Sequence, residues 1–298
     1  MTNQPFHEGE VAIQERAGER AMACRHGAAI SSRIIPAALT FLRRQRLIAV
    51  SALGSHAELW TSVWCGDAGF VGSIDGQVVR IDRSLMRTTR HDPVLPGLGR
   101  QDHVGILAIE FGSGGRLRIN GTVDDLSDSD LQILVQESVP NCPKYIRRRR
   151  AHTISPTIEQ PSSFERGRTL DAKRRRLIEQ ADTSFVGSLH PTRGVDVSHR
   201  GGAPGFIQIV DATTLRVPDY QGNSMFMTLG NFEIDPRAGL AVLDFERNRI
   251  ASFSGTAHVR FDDARVRPAG SGTGRSWEFS IQEWIEHDLS PAIGWELA

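Results

Sequence analysis

The sequence predicts a mainly β protein with peripheral helices, an α+β chain whose two halves each build a small antiparallel barrel. Three observations carry this. Short runs rich in valine, isoleucine and phenylalanine alternate with Gly, Pro, Asn and Asp turns, the spacing of small β-barrels. The longest apolar runs, such as "GILAI" and "GLAVL", have the length of strands and not of membrane spans. Finally, the same motifs occur twice in the same order. "VGILAIEF" (Val104 to Phe111) matches "AGLAVLDF" (Ala238 to Phe245), and Gly121-Thr122 matches Gly255-Thr256 at the same shift of 134 residues. "TSVWCGDAGF" (Thr61 to Phe70) matches "VSHRGGAPGF" (Val197 to Phe206) at a shift of 136, which also sets Arg80 against Arg216. Ordered matches of this kind indicate an internal repeat.

The elements follow in order. Residues 1–35 form an N-terminal helical extension, because residues 6–31 have helical composition. The first repeat covers 36–146 and opens with Pro36 ahead of "AALTFLRRQRLIAV", a helix running into a strand. Residues 147–168, polar and carrying two prolines, read as a linker or mobile loop. The second repeat covers 169–298. Its opening helix, "TLDAKRRRLIEQADTSF", has Thr169 or Asp171 as cap and Leu170, Leu177 and Ile178 as apolar stripe. Strands "TSFVGSLHP", "GVDVSHRG", "FIQIVD", "TLRVPD", "GLAVLDF" and "RIASFSGTAHVRF" follow, with "SMFMTLGNFEI" between them as a short helix and turn. "GSGTGRS" (Gly270 to Ser276) lacks the lysine spacing of a phosphate loop and reads as a flexible loop.

Composition excludes several classes. Hydrophobic content of 39% and charged content of 23% suit a chain with a real core. Formal net charge is zero, with 35 basic and 35 acidic residues, so non-specific nucleic-acid binding lacks electrostatic support. The N-terminus lacks a signal-peptide pattern and no membrane span is present, so the expected compartment is the cytoplasm. Cys24, Cys65 and Cys142 are isolated and odd in number, which argues against a disulfide framework or a zinc site, and no metal is expected.

One stretch concentrates chemistry. "DVSHRGGAPGF" sets a hydroxyl, an imidazole and a guanidinium beside paired glycines. It is either a polar strand-end turn or an edge where backbone approaches a flat, anionic ligand. With "FHEGEVAIQERAG", "NCPKYI", "DYQGNSMFMTLGN" and "DPRAGLAVLDFE", it resembles the tandem flavin-nucleotide-binding proteins related to pyridoxamine 5′-phosphate oxidase, from Phe6 to about Phe261. That family has the FMN-binding split barrel. The resemblance implies two tandem split barrels that pair within the chain, with FMN at their interface, and a possible homodimer. It implies an oxidoreductase that passes electrons from a donor such as NAD(P)H to a small-molecule acceptor. A flavin-binding or sensing module without turnover is the alternative. Haem handling through His190 or His199 is a third and weaker reading.

The resemblance also implies site residues. Ser198, His199 and Arg200 would run along the flavin, with Gly201 and Gly202 admitting backbone donors. Pro218, Asp219, Asn223, Ser224, Thr228 and Asn231 would form the phosphate turn and the helix start behind it. The serine-arginine-lysine cluster of the oxidase is missing, so Arg200 carries more of the charge. In the first repeat Trp64 stands where Arg200 does and Cys65 where Gly201 does, while Arg83 and Arg87 lack the asparagine-glycine turn. One site is therefore expected, on the second repeat. Trp64, Glu137, Asn141 and Tyr145 of the first repeat would cover the flavin, with Tyr145 stacking on the ring. No catalytic acid or base is identified. His199 is a proton donor or a structural histidine, Cys142 a packing residue before a nucleophile, and Arg147 to Arg150 a solvated flank before a polyanion site.

Overall fold

The computed structural model describes residues 5–141, 143–154, 164–261, 272–290 and 292–298. Cys142 lies outside the described residues. The N-terminal helices are α1 (Glu8–Arg16), α2 (Arg20–Gly27) and α3 (Pro36–Arg43). A capping box starts α1: His7 Nδ1 accepts from the Gly9 N–H at 3.2 Å and Glu10 Oε2 accepts from the His7 N–H at 2.8 Å. Pro36 occupies the first turn of α3, where its missing N–H costs nothing.

The first sheet contains β1 (Leu47–Leu53), β2 (Leu59–Cys65), β3 (Val71–Gly72), β4 (Val78–Asp82), β5 (His103–Glu110), β6 (Gly115–Leu126) and β7 (Asp130–Asn141). Next come β8 (Arg149–Thr153), β9 (Phe164–Gly167) and α4 (Ala172–Gln180). The second sheet contains β10 (Thr183–His190), β11 (Gly194–Gly201), β12 (Gln208–Ile209), β13 (Thr214–Tyr220), β14 (Arg237–Asp244), β15 (Arg249–Arg260) and β16 (Gly272–Asp288). Helix α5 (Met227–Ile234) sits between β13 and β14, and β17 (Ile293–Leu297) ends the chain.

Both sheets are antiparallel. Their orders are β2-β1-β5-β6-β7-β4-β3 and β11-β10-β14-β15-β16-β13-β12, the same seven-strand topology, with β9 added beside β16 in the second. The fold class is the one read from the sequence: mainly β, in two tandem split-barrel units with peripheral helices. The repeated motifs fall on equivalent strands, β5 with β14 and β2 with β11. Gly121 and Gly255 sit at equivalent register shifts of β6 and β15.

Each half has its own core, and a third cluster joins them. Leu47, Val63, Leu107 and Ile109 of the first half pack with Phe185, Val197, Ala241 and Leu243 of the second. Here the repeated glycines have a physical reason. A Cβ on Gly105 would lie 2.9 Å from the Asp196 backbone, and one on Gly239 would lie 2.7 Å from the Thr61 backbone nitrogen. The halves cross too closely there for any side chain, once on each side of the approximate symmetry.

Two segments differ from expectation. The described parts of 147–168 carry strands: β8 pairs with β17 and β9 with β16. Arg149 is buried there, held by an ion pair to Asp182 at 2.6 Å, which a reading of local polarity cannot foresee. Of "GSGTGRS", Gly272 to Ser276 begin β16, because the neighbouring β13 and β15 supply ladder partners. The α4 cap is Asp171, whose side chain accepts from the Arg174 N–H at 2.9 Å.

Candidate functional site

β11 is the edge strand of the second sheet, and it packs across β5 and β6 of the first. That crossing makes the site. A cavity of about 110 Å³ is lined from the first half by Arg116, Arg118, Asn141, Lys144 and Tyr145. From the second half, Ser198 to Gly201, Asp219, Tyr220 and Asn223 line it. A neighbouring cavity of about 80 Å³ shares Arg118, Ser198, Arg200 and Asn223, and adds Ser224, Thr228 and the first turn of α5.

The polar groups interlock across the two halves. Arg118 donates to Ser198 Oγ at 2.5 Å and pairs with Asp196 at 3.0 Å. Ser198 Oγ is also 2.7 Å from Thr228 Oγ1. Arg116 donates to His199 Nδ1 at 3.3 Å. Burial, then the charges of Arg116 and Arg200, hold His199 well below its ordinary pKa, so the ring is neutral. With Nδ1 accepting, the hydrogen sits on Nε2. Arg200 is half-buried and donates only to its neighbour's carbonyl, at 3.3 Å, with no carboxylate within ion-pair distance among the described residues. Asp219 is committed to Arg275 at 3.0 Å, and burial pushes its carboxyl up against the pull of Arg200 and Arg275. The lining therefore carries more positive than negative charge.

The chain has only two tyrosines, and both are here. The Tyr145 and Tyr220 rings lie 5.0 Å apart, tilted by 34°. Tyr145 holds a left-handed backbone (φ 62°), and its hydroxyl donates to the Gln221 carbonyl at 3.1 Å. Burial and the neighbouring Tyr145 raise the pKa of Tyr220.

The structure gathers Ser198, His199, Arg200, Gly201, Asp219, Asn223, Ser224, Thr228, Asn141 and Tyr145 at these cavities. Five expected residues lie elsewhere. Trp64 is fully buried in the first-half core, its indole N–H donated to Asp92 at 3.0 Å. It fills the position equivalent to Arg200 from within its own half, so it covers no ligand at this site. Glu137 and Asn231 line a separate pocket with His7 and Glu10, where Asn231 bonds His7 Nε2 at 2.9 Å and Ser188 Oγ at 2.9 Å. Pro218 pairs with Ser276 inside the second sheet.

Gly202 lies outside these two cavities and leaves room for Phe206, which a Cβ would meet at 2.7 Å. Gly201 makes room for the Tyr145 carbonyl, which a Cβ would meet at 2.1 Å. The paired glycines serve protein contacts, one within the turn and one between the halves.

Arg116, Arg118, Lys144 and Tyr220 were missed by sequence reasoning. Arg116 and Arg118 alternate in "GRLRIN", which puts both on one face of β6. That period was legible, but the strand they face was not. His7, Glu8 and His190 bring ligand-type atoms within 4.8 Å of one another. Yet Nδ1 of each histidine accepts backbone N–H groups, from Gly9 for His7 and from Thr192 and Arg193 for His190. Each ring then carries its hydrogen on Nε2, which leaves no lone pair for a metal.

No family model matches the chain, and no curated protein matches it. Solved structures do. A pyridoxamine 5′-phosphate oxidase-type protein from Lactobacillus delbrueckii is 14% identical over 40% of this chain and 94% of its own, with a TM-score of 0.33. A Clostridium acetobutylicum protein related to general stress protein 26, of the pyridoxinephosphate oxidase family, is 10% identical over 42% and 92%, with a TM-score of 0.30. A FAD-binding protein from Mesorhizobium loti is 10% identical over 42% and 97%, also with a TM-score of 0.30. Each spans about two fifths of this chain. No described helix is long and apolar enough to cross a membrane.

Proposed function

We propose that this chain binds FMN non-covalently between its two halves and acts as a cytoplasmic oxidoreductase. On this reading residues 36–146 and 169–298 are duplicated units that pair within one chain. The observation that carries the reading is the convergence of Arg116, Arg118, Lys144 and Arg200 from both halves on a cavity walled by Tyr145 and Tyr220. The donor set suits a phosphate joined to a flat ring. The enclosed space is small: about 110 Å³ and 80 Å³ against roughly 300–1,000 Å³ for most cofactor sites. Binding therefore needs side chains to move. Tyr145 is the wall that can, being 38% exposed and tied by one side-chain hydrogen bond.

Arg200 and Arg118, with Ser198, Thr228 and Asn223, would hold the phosphate at the first turn of α5. The neutral His199, fixed by Arg116, would offer an N–H without changing protonation state near neutral pH. Tyr145 and Tyr220 would exclude water from the ring. The flavin supplies the two-electron chemistry, with NAD(P)H as the proposed donor and a small molecule as acceptor.

Heat release of ligand from native protein, followed by chromatography, tests the reading. FMN is the expected product. Recovery of FAD, or no flavin even after incubation with FMN, would overturn it.

A further inference from the structure

Beyond the site just described, an outer cleft runs along the segment from Tyr145 to Arg149. It consists of two larger cavities that share Arg147 and Pro204. One, of about 460 Å³, begins at the outer face of Tyr145 and includes Gly202 and Ala203. The other, of about 450 Å³, ends at Phe245 and Trp295. Each is large enough for a small organic molecule.

Charge defines what fits. Asp182 is shared by Arg149 at 2.6 Å and Arg147 at 3.2 Å, and Thr183 Oγ1 donates to its other oxygen at 2.9 Å. One carboxylate cannot neutralise two guanidiniums. Arg149 is the committed one: it is buried, on the shorter bond, with its guanidinium 4.2 Å from the Phe245 ring centroid. Arg147 is 47% exposed on the longer bond, so its charge is available at the junction of the two cavities. The far cavity has one apolar wall. Phe245 and Trp295 meet edge to face at 5.8 Å, with Leu177 and Leu243 beside them. Besides Asp182, which the two arginines hold, its acidic residues are Asp244, tied to Arg247 at 2.8 Å, and the exposed Glu246 and Glu296. An anion is thus repelled from the far end and drawn to Arg147.

We propose that this outer cleft binds an aromatic carboxylate, its carboxyl group on Arg147 and its ring against Phe245 and Trp295. Resting on the flavin reading, this makes an aryl acid the substrate class that approaches the cofactor past Tyr145.

Calorimetric titration of the full chain with 2-naphthoate and its neutral isostere 2-naphthamide tests it. Naphthoate is expected to bind about tenfold more tightly, the scale of one charge-assisted contact. Arg147→Gln should remove that preference and leave naphthamide unchanged. Pro204→Trp, on an exposed turn, should weaken both. Equal binding of the two compounds to wild type, a preference that survives Arg147→Gln, or no saturable binding of either would overturn the proposal. An FMN titration of the same samples keeps the two readings apart. Naphthoate behaving as stated without FMN binding sinks the flavin reading alone, and FMN binding without naphthoate sinks this one alone.

Discussion

Gly201→Ala perturbs the joint on which the site depends. The new Cβ would lie 2.1 Å from the Tyr145 carbonyl oxygen, 2.7 Å from the His199 ring and 3.1 Å from the Asp182 carbonyl oxygen, where ordinary contact begins at 3.4 Å. The tightest of these is a backbone atom, so a side-chain shift alone cannot relieve the clash. The strand and the segment holding Tyr145 must separate by roughly 1 Å, an overpacking that costs about 1–3 kcal/mol. For a protein of this size that lowers Tm by roughly 2–12 °C. Melting of the apo-protein reads the stability, and FMN fluorescence titration reads the site. Melting should fall and FMN affinity should change with it, since Tyr145 moves. Gly205→Ala is the control. Its φ of +85° strains alanine, yet no atom stands within 4 Å. Its backbone strain should lower stability by about 1 kcal/mol, with FMN affinity intact. If Gly201→Ala melts like wild type, the close approach of Tyr145 to β11 is not real and the reasoning fails.

Three further expectations follow from named contacts. Arg200→Ala should weaken FMN binding by about 1.5–3 kcal/mol, the range for a charge-assisted hydrogen bond. Its Tm should not fall, because Arg200 bonds only its neighbour's carbonyl; a large drop in Tm would give it a structural role instead. Trp64→Ala should cost about 3–5 kcal/mol of stability, since the side chain is fully buried, without changing FMN affinity in the folded fraction. Direct loss of affinity would return Trp64 to the site. Glu10 is pushed up to about 8 by burial, against the His7 backbone hydrogen bond and aided by Glu137. A raised carboxyl pKa means that its stabilising contribution is whole below about pH 4.5 and is lost as pH rises to about 8. His7 is lowered to about 4 from 6.5, so it titrates in neither state above roughly pH 7. Glu10→Gln, which keeps the cap, should flatten the fall in Tm between pH 7 and about 8.5; an unchanged slope would assign that fall to other groups.

The fold was legible because its signals are local or repeated. Strand-length apolar runs, turn residues and the recurrence of Gly105 at Gly239 each survive without knowledge of the partner strand. The second-half residues that line the cavities were legible for the same reason: Ser198 to Gly201 and Asn223 to Thr228 sit in compact motifs. What failed depends on contacts between the halves. Arg116 and Arg118 lie on β6 and face β11, a pairing set by the crossing of the sheets. Trp64 occupies the symmetric counterpart of Arg200, but its own Asp92 captures the indole. Glu137 lines the pocket under α1 with His7 and Glu10, apart from the cavity. The two glycines carried a real signal of close approach, and the atoms nearest their missing side chains belong to Phe206 and Tyr145.

The central claim is a cationic seat for a flavin phosphate between the two halves. Equilibrium titration of the apo-protein with FMN and with riboflavin, which lacks the phosphate, tests it most directly. FMN should bind at one site per chain and at least about tenfold more tightly than riboflavin, with the difference abolished in Arg200→Ala. Equal affinity for both flavins, a second FMN per chain, or no binding of either would contradict it.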